Sequence, residues 1–289
     1  MNKTLHIFIV LLCLMATMPL SAQQPLFRGE EGEVVIARLG GLMPDTVTLV
    51  GSLQGMAIHR SHAYLLRDGG QCVVIDLKRK RFVTAFQLPD NHSHCNNAAF
   101  GRGRKPLLYV SECFGEKRCL VTDVFSPERR VVQTIRYRTP NFAQDWCLDA
   151  ERGYLYAYSG VRGGPMQLRK FPLPPAGSDS VELHDAELLK CCPVSCVKVA
   201  QGSKIHRGCA FLPDGDEAGN FFLHVIDLEK QTELYRLDLN RICCEPEGVD
   251  IKGRWLYVSF HTPDPTDNMI YRFRIRHSFF RRNGHNPAQ

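Results

Sequence analysis

The chain has 289 residues, of which 44% are hydrophobic, and a formal net charge of +6 at pH 7. This composition supports a large buried core and excludes a long disordered linker. The small positive excess is spread over separate runs at 78–80, 102–105 and 281–282. Nucleic-acid binding requires a contiguous basic face with stacking aromatic side chains, so we expect solvated loops at these runs and no nucleic-acid partner.

The first 22 residues have the pattern of a secretory signal peptide. Lys3 is the early positive charge, 7–14 is an apolar core, and Leu20-Ser21-Ala22 resembles a cleavage site. The apolar stretch is shorter than the roughly twenty residues that cross a bilayer, and no second hydrophobic run follows it. We therefore expect an exported protein, periplasmic or secreted, with one domain over 23–289 and no membrane span after cleavage.

The chain contains 12 cysteines, and removal of the predicted signal peptide takes away only Cys13. So many cysteines in an exported protein suggest that some are oxidised. The best local candidate for a disulfide is Cys113 with Cys119, because the residues between them form a predicted hairpin loop. Cys191-Cys192 and Cys196 hint at a metal site, but they lack the paired spacing of a zinc ribbon, so we favour a structural or disulfide role.

A short pattern recurs along the chain: a polar residue, then Gly, Asn or Asp, then three mostly apolar residues. Its copies begin at Gln54, Asn96, Gln144, Arg207 and Glu247. The intervals between the copies contain β-branched and aromatic runs separated by turn residues. A strand-rich unit of roughly forty to fifty residues is typical of β-propellers, whose four-stranded blades surround a central channel. The sequence therefore predicts an all-β fold, a β-propeller with five blades, and six blades as the alternative.

Two irregularities affect the order of the strands. Few residues separate Arg207 from the apolar run that begins at Phe221, so the second strand of the fourth repeat is predicted to be short or distorted. The fifth repeat ends without a fourth strand. The run Thr46–Val50 has the composition and position to supply it, so we expect an N-terminal strand to close the ring. The segment 34–39 is expected to add to the same blade or to belong to a sixth.

Short motifs carry a resemblance to known propellers. They are Gln54-Gly55-Met56, His94-x-Asn96-Asn97, Asp145-Trp146 and Glu245-Pro246-Glu247-Gly248. Through them the chain resembles exported bacterial β-propellers of the NHL, TolB-like and gluconolactonase-like group. The resemblance implies the fold, and for gluconolactonase-like members it also implies a carboxylate-and-amide metal site near the channel. Activities differ widely within this fold, so function has to be inferred from the site.

The starts of the innermost strands of a propeller converge on one mouth of the channel. We predict a ligand-binding rim composed of Gln54, His94, Asn97, Asp145, His206, Arg207, Glu245 and Glu247. Amides, carboxylates, imidazoles and a guanidinium form the polar cluster that suits a small polar ligand, such as a glycan fragment. The competing interpretation is that these residues cap turns and bind channel water.

Asn97, Asp145 and Glu247 are the candidate metal ligands, because hard cations take oxygen ligands and these side chains come from different blades. Calcium is the candidate ion, and no other cofactor is expected. No complete catalytic constellation emerges, which favours binding over catalysis. Two alternatives stay open: a metal-dependent hydrolase of the lactonase or glycosidase type, and a scaffold that presents its surface to a protein partner.

Overall fold

The computed structural model describes residues 25–91, 93–138, 142–160, 165–177, 179–216 and 219–285. The predicted signal peptide, residues 1–22, lies outside these ranges and stays a prediction. The described residues form five β-sheets, in which neighbouring strands are antiparallel except for one parallel pair, and one short α-helix. The predicted five-bladed β-propeller is confirmed. Among the described residues, no helix has the length and apolar character needed to cross a lipid bilayer.

Strand β1 (Glu33–Ile36) belongs to the last blade. The first blade consists of β2 (Leu53–His59), β3 (His62–Arg67), β4 (Gln71–Asp76) and β5 (Arg81–Gln87), each antiparallel to the next. Alternate residues of β4 face opposite sides of this sheet. Cys72 and Val74 pack against the second blade, whereas Val73 and Ile75 pack against the fifth blade and the N-terminal segment. Burial on both faces explains why the strand has an almost continuous apolar sequence.

The second blade contains β6 (Asn97–Phe100), β7 (Leu108–Ser111), β8 (Cys119–Thr122) and β9 (Val131–Arg138). The third blade contains β10 (Phe142–Asp149), β11 (Tyr154–Gly160), β12 (Met166–Pro172) and β14 (Lys190–Pro193). Between the last two, β13 (Ser180–His184) leaves its own blade and pairs in parallel with β9. The Pro- and Gly-containing stretch before β13 is long enough to reach the neighbouring blade.

The fourth blade contains β15 (Lys204–His206), β16 (Cys209–Asp216), β17 (Gly219–Asp227) and β18 (Thr232–Asp238). The copy of the pattern at Arg207 was predicted to begin the innermost strand. That prediction is wrong, because β15 is the innermost strand and Cys209–Asp216 is the second strand. The short strand is therefore the first and not the second. Inner and second strands are both buried on two faces and have the same apolar composition, so the sequence pattern fits either one.

The fifth blade contains β19 (Glu245–Lys252), β20 (Trp255–His261) and β21 (Met269–Arg274), and β1 completes it by pairing antiparallel with β21. Closure by an N-terminal strand is confirmed, but the segment is 33–36 and not the predicted 46–50. Arg67 explains the difference, because its buried guanidinium donates to the Val50 carbonyl oxygen at 3.0 Å and to that of Gly51. These contacts hold the chain before β2 as a loop. Helix α1 (His277–Arg282) follows β21 and buries Phe279 and Phe280.

The cysteines of the described residues are all free thiols. The predicted disulfide between Cys113 and Cys119 is wrong, because the antiparallel register places Ser111 opposite Cys119 and leaves Cys113 in the loop beyond the strand. Both thiols are buried, and burial raises the pKa of each. They therefore behave as small hydrophobic groups of the core.

Candidate functional site

The innermost strands β2, β6, β10, β15 and β19 surround the propeller axis, and their first residues meet at one end of the channel. Asn97 Nδ2 donates to the Trp146 carbonyl oxygen at 2.8 Å and to Ser203 Oγ at 2.6 Å. Asn96 Nδ2 donates to the Ala200 carbonyl oxygen at 3.3 Å. These asparagines of the second blade thus reach the third blade and the segment that enters the fourth.

Glycines allow the inner backbones to approach one another closely. A Cβ atom on Gly248 would lie 2.5 Å from Met56 Cβ and 2.8 Å from the carbonyl carbon of Gly55. Gly202 has φ +102°, and a Cβ there would lie 2.8 Å from the carbonyl oxygen of Glu247. Both positions therefore exclude larger residues. The fourth and fifth blades reach the axis only because these residues have no side chain.

Several buried side-chain oxygen atoms at this end of the channel have no hydrogen-bond partner among the described residues. They are Gln54 Oε1, Asn97 Oδ1, both carboxylate oxygens of Asp145, and Glu247 Oε2. The four residues are at most 3% exposed and come from the first, second, third and fifth blades. An unpaired polar group in a protein interior costs about 1–3 kcal/mol, and a charged group costs more. A set of buried acceptors without donors is unusual, and a cation would satisfy it.

The two carboxyl groups of this set are hard to ionise. Burial raises the pKa of Asp145 to about 6, although Ser111, the Trp146 N–H and Asn96 lie close enough to oppose the effect without forming well-aligned hydrogen bonds. Burial, and then the negative charges of Glu245 and Asp68, raise the pKa of Glu247 well above its ordinary value. Among the described residues, neither carboxyl group forms an ion pair with a basic side chain.

His94 and Glu245, two further predicted rim residues, surround this set. His94 Nδ1 lies 2.7 Å from Asp68 Oδ1, and its ring packs at 4.9 Å from Phe114. Gln201 donates to Glu245 Oε1 and, at 3.0 Å, to the carbonyl oxygen of Gly215. The charge of His94 acts on the pKa of Asp145, and that of Glu245 acts on the pKa of Glu247. The structure therefore brings six of the eight predicted rim residues to the mouth.

The other two, His206 and Arg207, are not part of the mouth. His206 ends β15, and Arg207 lies in the following turn with φ 51°. Their side chains pack on Phe280 of α1, at 5.5 Å between the ring centroids for His206 and at 5.6 Å for the Arg207 guanidinium. The wrong strand assignment in the fourth blade explains this result. Because the sequence pattern predicts β16 as the innermost strand, it places residues at the C-terminal end of β15 at the mouth.

Ser203 occupies the rim position of the fourth blade, and the sequence analysis missed it. It is buried and accepts the hydrogen bond from Asn97. A signal was present, since Gln201-Gly202 repeats the amide-glycine pair Gln54-Gly55 that begins the first copy of the pattern. Gly202 is the glycine that the close approach to the axis requires, whereas Arg207-Gly208 lies in a hairpin turn.

Comparison with known proteins identifies the fold and no family. No protein-family profile matches the chain, and no curated protein sequence matches it. The crystal structure of Myxococcus xanthus glutaminyl cyclase is similar, with a TM-score of 0.53, 12% identity, and coverage of 78% of this chain and 91% of that chain. The shared feature is the β-propeller fold. At this identity the likeness extends no further than the fold.

Two surface cavities of the propeller lie away from the mouth. One of about 540 Å³ lies between the third and fourth blades, with Arg152, Lys170 and Gly208 in its wall. Another of about 410 Å³ lies between the first and second blades and is lined by Arg60 and Arg129, among others. Because Arg60, Arg152 and Gly208 belong to the turns after innermost strands, both cavities open at the opposite end of the ring. Neither includes a residue of the predicted rim.

Proposed function

We propose that this protein is an exported β-propeller that holds a divalent cation, such as calcium, in its channel and binds a small polar ligand at the mouth. One observation carries the proposal: buried oxygen atoms from four blades, contributed by Gln54, Asn97, Asp145 and Glu247, accept no well-aligned hydrogen bond. A cation supplies the positive charge that these atoms lack. A relationship to the NHL, TolB-like and gluconolactonase-like propellers is part of the proposal and is supported by the short motifs alone.

The chemistry of the donor set fits a hard cation. The unpaired atoms are amide and carboxylate oxygens, which calcium prefers, and two carboxylates balance a charge of +2. The orientation of the Asn97 amide is determined by its surroundings, because its nitrogen donates to a carbonyl oxygen and to a serine hydroxyl. Its oxygen therefore points away from both and is available as a ligand. Binding of the ion would remove the energetic cost of the buried, unpaired acceptors.

The ligand would be held by the polar groups that surround the channel. His94 with Asp68, and Gln201 with Glu245, are paired side chains at this end of the ring. Such groups suit a neutral ligand rich in hydroxyl groups, such as a glycan fragment, because they offer both donors and acceptors. His206 and Arg207 do not contribute to this proposed site.

Calcium titration of the chelator-treated protein tests the proposal. We expect one ion per chain and, at a hundredfold excess over the dissociation constant, about 2.7 kcal/mol of added stability, which corresponds to a rise in Tm on the order of 5–10 °C. Asp145→Asn and Glu247→Gln are each expected to abolish this rise, because they remove the charges that attract the ion. The measurements are isothermal titration calorimetry and thermal unfolding.

Glu182→Gln is the matched control, since Glu182 is an exposed carboxylate on β13 that pairs with Arg138. It should retain the full response to calcium. A wild-type protein that neither binds calcium nor changes its Tm would contradict the cation site. If calcium binds but no sugar in a panel of mono- and oligosaccharides changes the Tm further, the glycan part of the proposal is wrong and the cation part stands.

Catalysis at the same mouth is the second candidate function. It is favoured by the raised pKa of Glu247, because burial favours the acid form of this carboxyl group, and a raised pKa is what a carboxylic general acid needs. The candidate reactions are hydrolysis of lactones or glycosides, and the name of the Myxococcus xanthus enzyme adds a glutaminyl substrate to those worth testing. The scaffold alternative has no observation in its favour among the described residues.

Turnover assays distinguish catalysis from binding. The wild-type protein with calcium is incubated with an aryl lactone, aryl glycosides and a peptide with an N-terminal glutamine. If Glu247 is the acid, Glu247→Gln lowers kcat by about 100-fold or more, in the range that general acid catalysis contributes. Glu182→Gln should leave kcat unchanged. An inactive wild-type protein rules out catalysis of these reactions and leaves binding as the function.

A further inference from the structure

A second group of metal-binding side chains lies on the fourth blade, apart from the channel. Cys196, His224 and Glu233 each offer one ligand atom, and the three atoms lie within 4.8 Å of one another. They come from different elements: the segment between β14 and β15, strand β17 and strand β18. His224 shares the side of β17 that carries Ile226, which packs against the third blade. The cluster is therefore formed where the incoming segment crosses this side of the fourth blade.

The orientation of the His224 ring is determined at both nitrogens. Nδ1 lies 2.6 Å from Glu233 Oε1, and Nε2 lies 3.2 Å from Asp214 Oδ2. The other oxygen of Asp214 accepts backbone N–H groups of Lys198 at 3.0 Å and Val199 at 2.7 Å. Asp214 thus orients the imidazole and also holds the segment that carries Cys196. A carboxylate that accepts from one ring nitrogen, while the other nitrogen faces the ligand group, is the usual arrangement around metal-bound histidines.

The cluster has a buried side, formed by His224 and Asp214, and a side that solvent can reach. His224 and Asp214 are 2% and 4% exposed, which fixes their positions. The Glu233 side chain is 33% exposed, and Cys196 is half-buried. A metal ion can therefore reach the three ligand atoms from the surface without opening the core. The exposed side also leaves room for a water molecule as a fourth ligand.

We propose that Cys196, His224 and Glu233 bind a zinc ion and that Asp214 is the positioning residue that orients His224. Thiolate, imidazole and carboxylate are the three ligand types that zinc accepts together, whereas calcium avoids sulfur and nitrogen. Ligand atoms around tetrahedral zinc lie about 3.5 Å apart, as expected from bond lengths of about 2.0–2.3 Å. Small rotations of the exposed Glu233 and half-buried Cys196 side chains bring the present spacing to that value. Three protein ligands leave the fourth position open.

Titration of the full chain with Zn²⁺ and Co²⁺ after chelator treatment tests this site, with calcium present to saturate the channel. We expect one zinc ion per chain, and a thiolate-to-metal charge-transfer absorption when Co²⁺ takes its place. Cys196→Ala and His224→Gln are each expected to weaken zinc binding by about 100-fold or more, and Cys196→Ala removes the absorption. Asp214→Asn should weaken binding by about 10–100-fold and keep the absorption, because a positioning residue does not touch the metal.

Cys243→Ala is the matched control, since Cys243 is an exposed free thiol at the C-terminal end of the 3₁₀ turn before β19. It should bind zinc as tightly as the wild type. The proposal is overturned if the wild type binds no zinc, if Cys196→Ala binds it undiminished, or if the Co²⁺ form lacks the thiolate absorption. Should Cys196→Ala or His224→Gln unfold, Glu233→Gln, at the exposed ligand, supplies the same comparison. Asp145→Asn should retain zinc binding, which separates this site from the channel.

Discussion

The cation-free protein is expected to lose stability as the pH rises from 4 to 7, and much of the loss should depend on Asp145 and Glu247. Both carboxyl groups have a pKa in the folded state that is raised by burial. Below the pKa of the unfolded chain, each group is protonated in both states and has no effect on stability. Above it, the unfolded chain ionises first, so the folded state is progressively disfavoured until the folded pKa is passed.

The size of the effect for Asp145 follows from its pKa of about 6 against an ordinary value of 3.8. One pKa unit corresponds to 1.36 kcal/mol, so ionisation of Asp145 lowers the free energy of unfolding by about 3 kcal/mol, most of it between pH 4 and 6. Glu247 acts in the same direction, because burial and the charges of Glu245 and Asp68 raise its pKa as well. Asp145→Asn and Glu247→Gln therefore should make the cation-free protein less sensitive to pH.

Urea unfolding at pH 4, 5, 6 and 7, with chelator present, measures this dependence. His224 acts in the same direction above its ordinary pKa: burial opposes its charge, but hydrogen bonds to Asp214, Cys196 and Glu233 raise its pKa to about 10. The informative quantity is therefore the difference in slope between the wild type and Asp145→Asn. Identical slopes would show that ionisation of Asp145 does not lower the free energy of unfolding. Saturating calcium should flatten the wild-type curve, because the ion stabilises the charged carboxylates.

Gly248→Ala is expected to lower the free energy of unfolding by about 3 kcal/mol or more. The added Cβ would lie 2.5 Å from Met56 Cβ and 2.8 Å from the carbonyl carbon of Gly55, both on β2 of the first blade. The nearest groups belong to the backbone of a strand that is hydrogen-bonded within its own sheet, so they cannot move without shifting a blade. Overpacking by one methyl group usually costs about 1–3 kcal/mol, and a backbone contact lies at the upper end.

Gly41→Ala is the matched control, because a Cβ on Gly41 would meet no atom within 4 Å. Neither glycine has a positive φ, so neither substitution introduces left-handed backbone strain, and the main difference between the two is the space available. Chemical unfolding of both variants measures the difference. A Gly248→Ala protein as stable as Gly41→Ala would show that the fifth and first blades are not packed this closely at the axis.

The sequence was sufficient to predict five blades, because each blade repeats strands of alternating or continuous apolar residues between short turns. It was insufficient to identify each strand. At Cys209–Phe211 the second strand has the composition of an innermost strand, since both are covered on two faces. The same ambiguity misplaced His206 and Arg207. The closing strand was also misassigned, because 46–50 has strand-like residues but Arg67 binds the carbonyl oxygen of Val50 and Gln71 binds that of Thr48.

The candidate site shows the same division. Asn97, Asp145 and Glu247 could be predicted, because a polar residue directly before an apolar inner strand must lie near the end of the channel. Their lack of hydrogen-bond donors could not be predicted, since it depends on which side chains the other blades bring to the axis. The role of Ser203 depends in the same way on Asn97, which lies two blades away in the ring.

The chain's own pattern determined the class of fold, the number of blades and the polar end of the channel, because these depend on local periodicity and on repetition at a constant interval. The tertiary structure alone decided which strand closes the ring, that Cys113 and Cys119 stay free thiols, and which buried oxygen atoms stay unpaired. The group of Cys196, Asp214, His224 and Glu233 illustrates the reason. These residues belong to separate strands and an incoming loop, and only the register between neighbouring strands and the path of that loop bring them together.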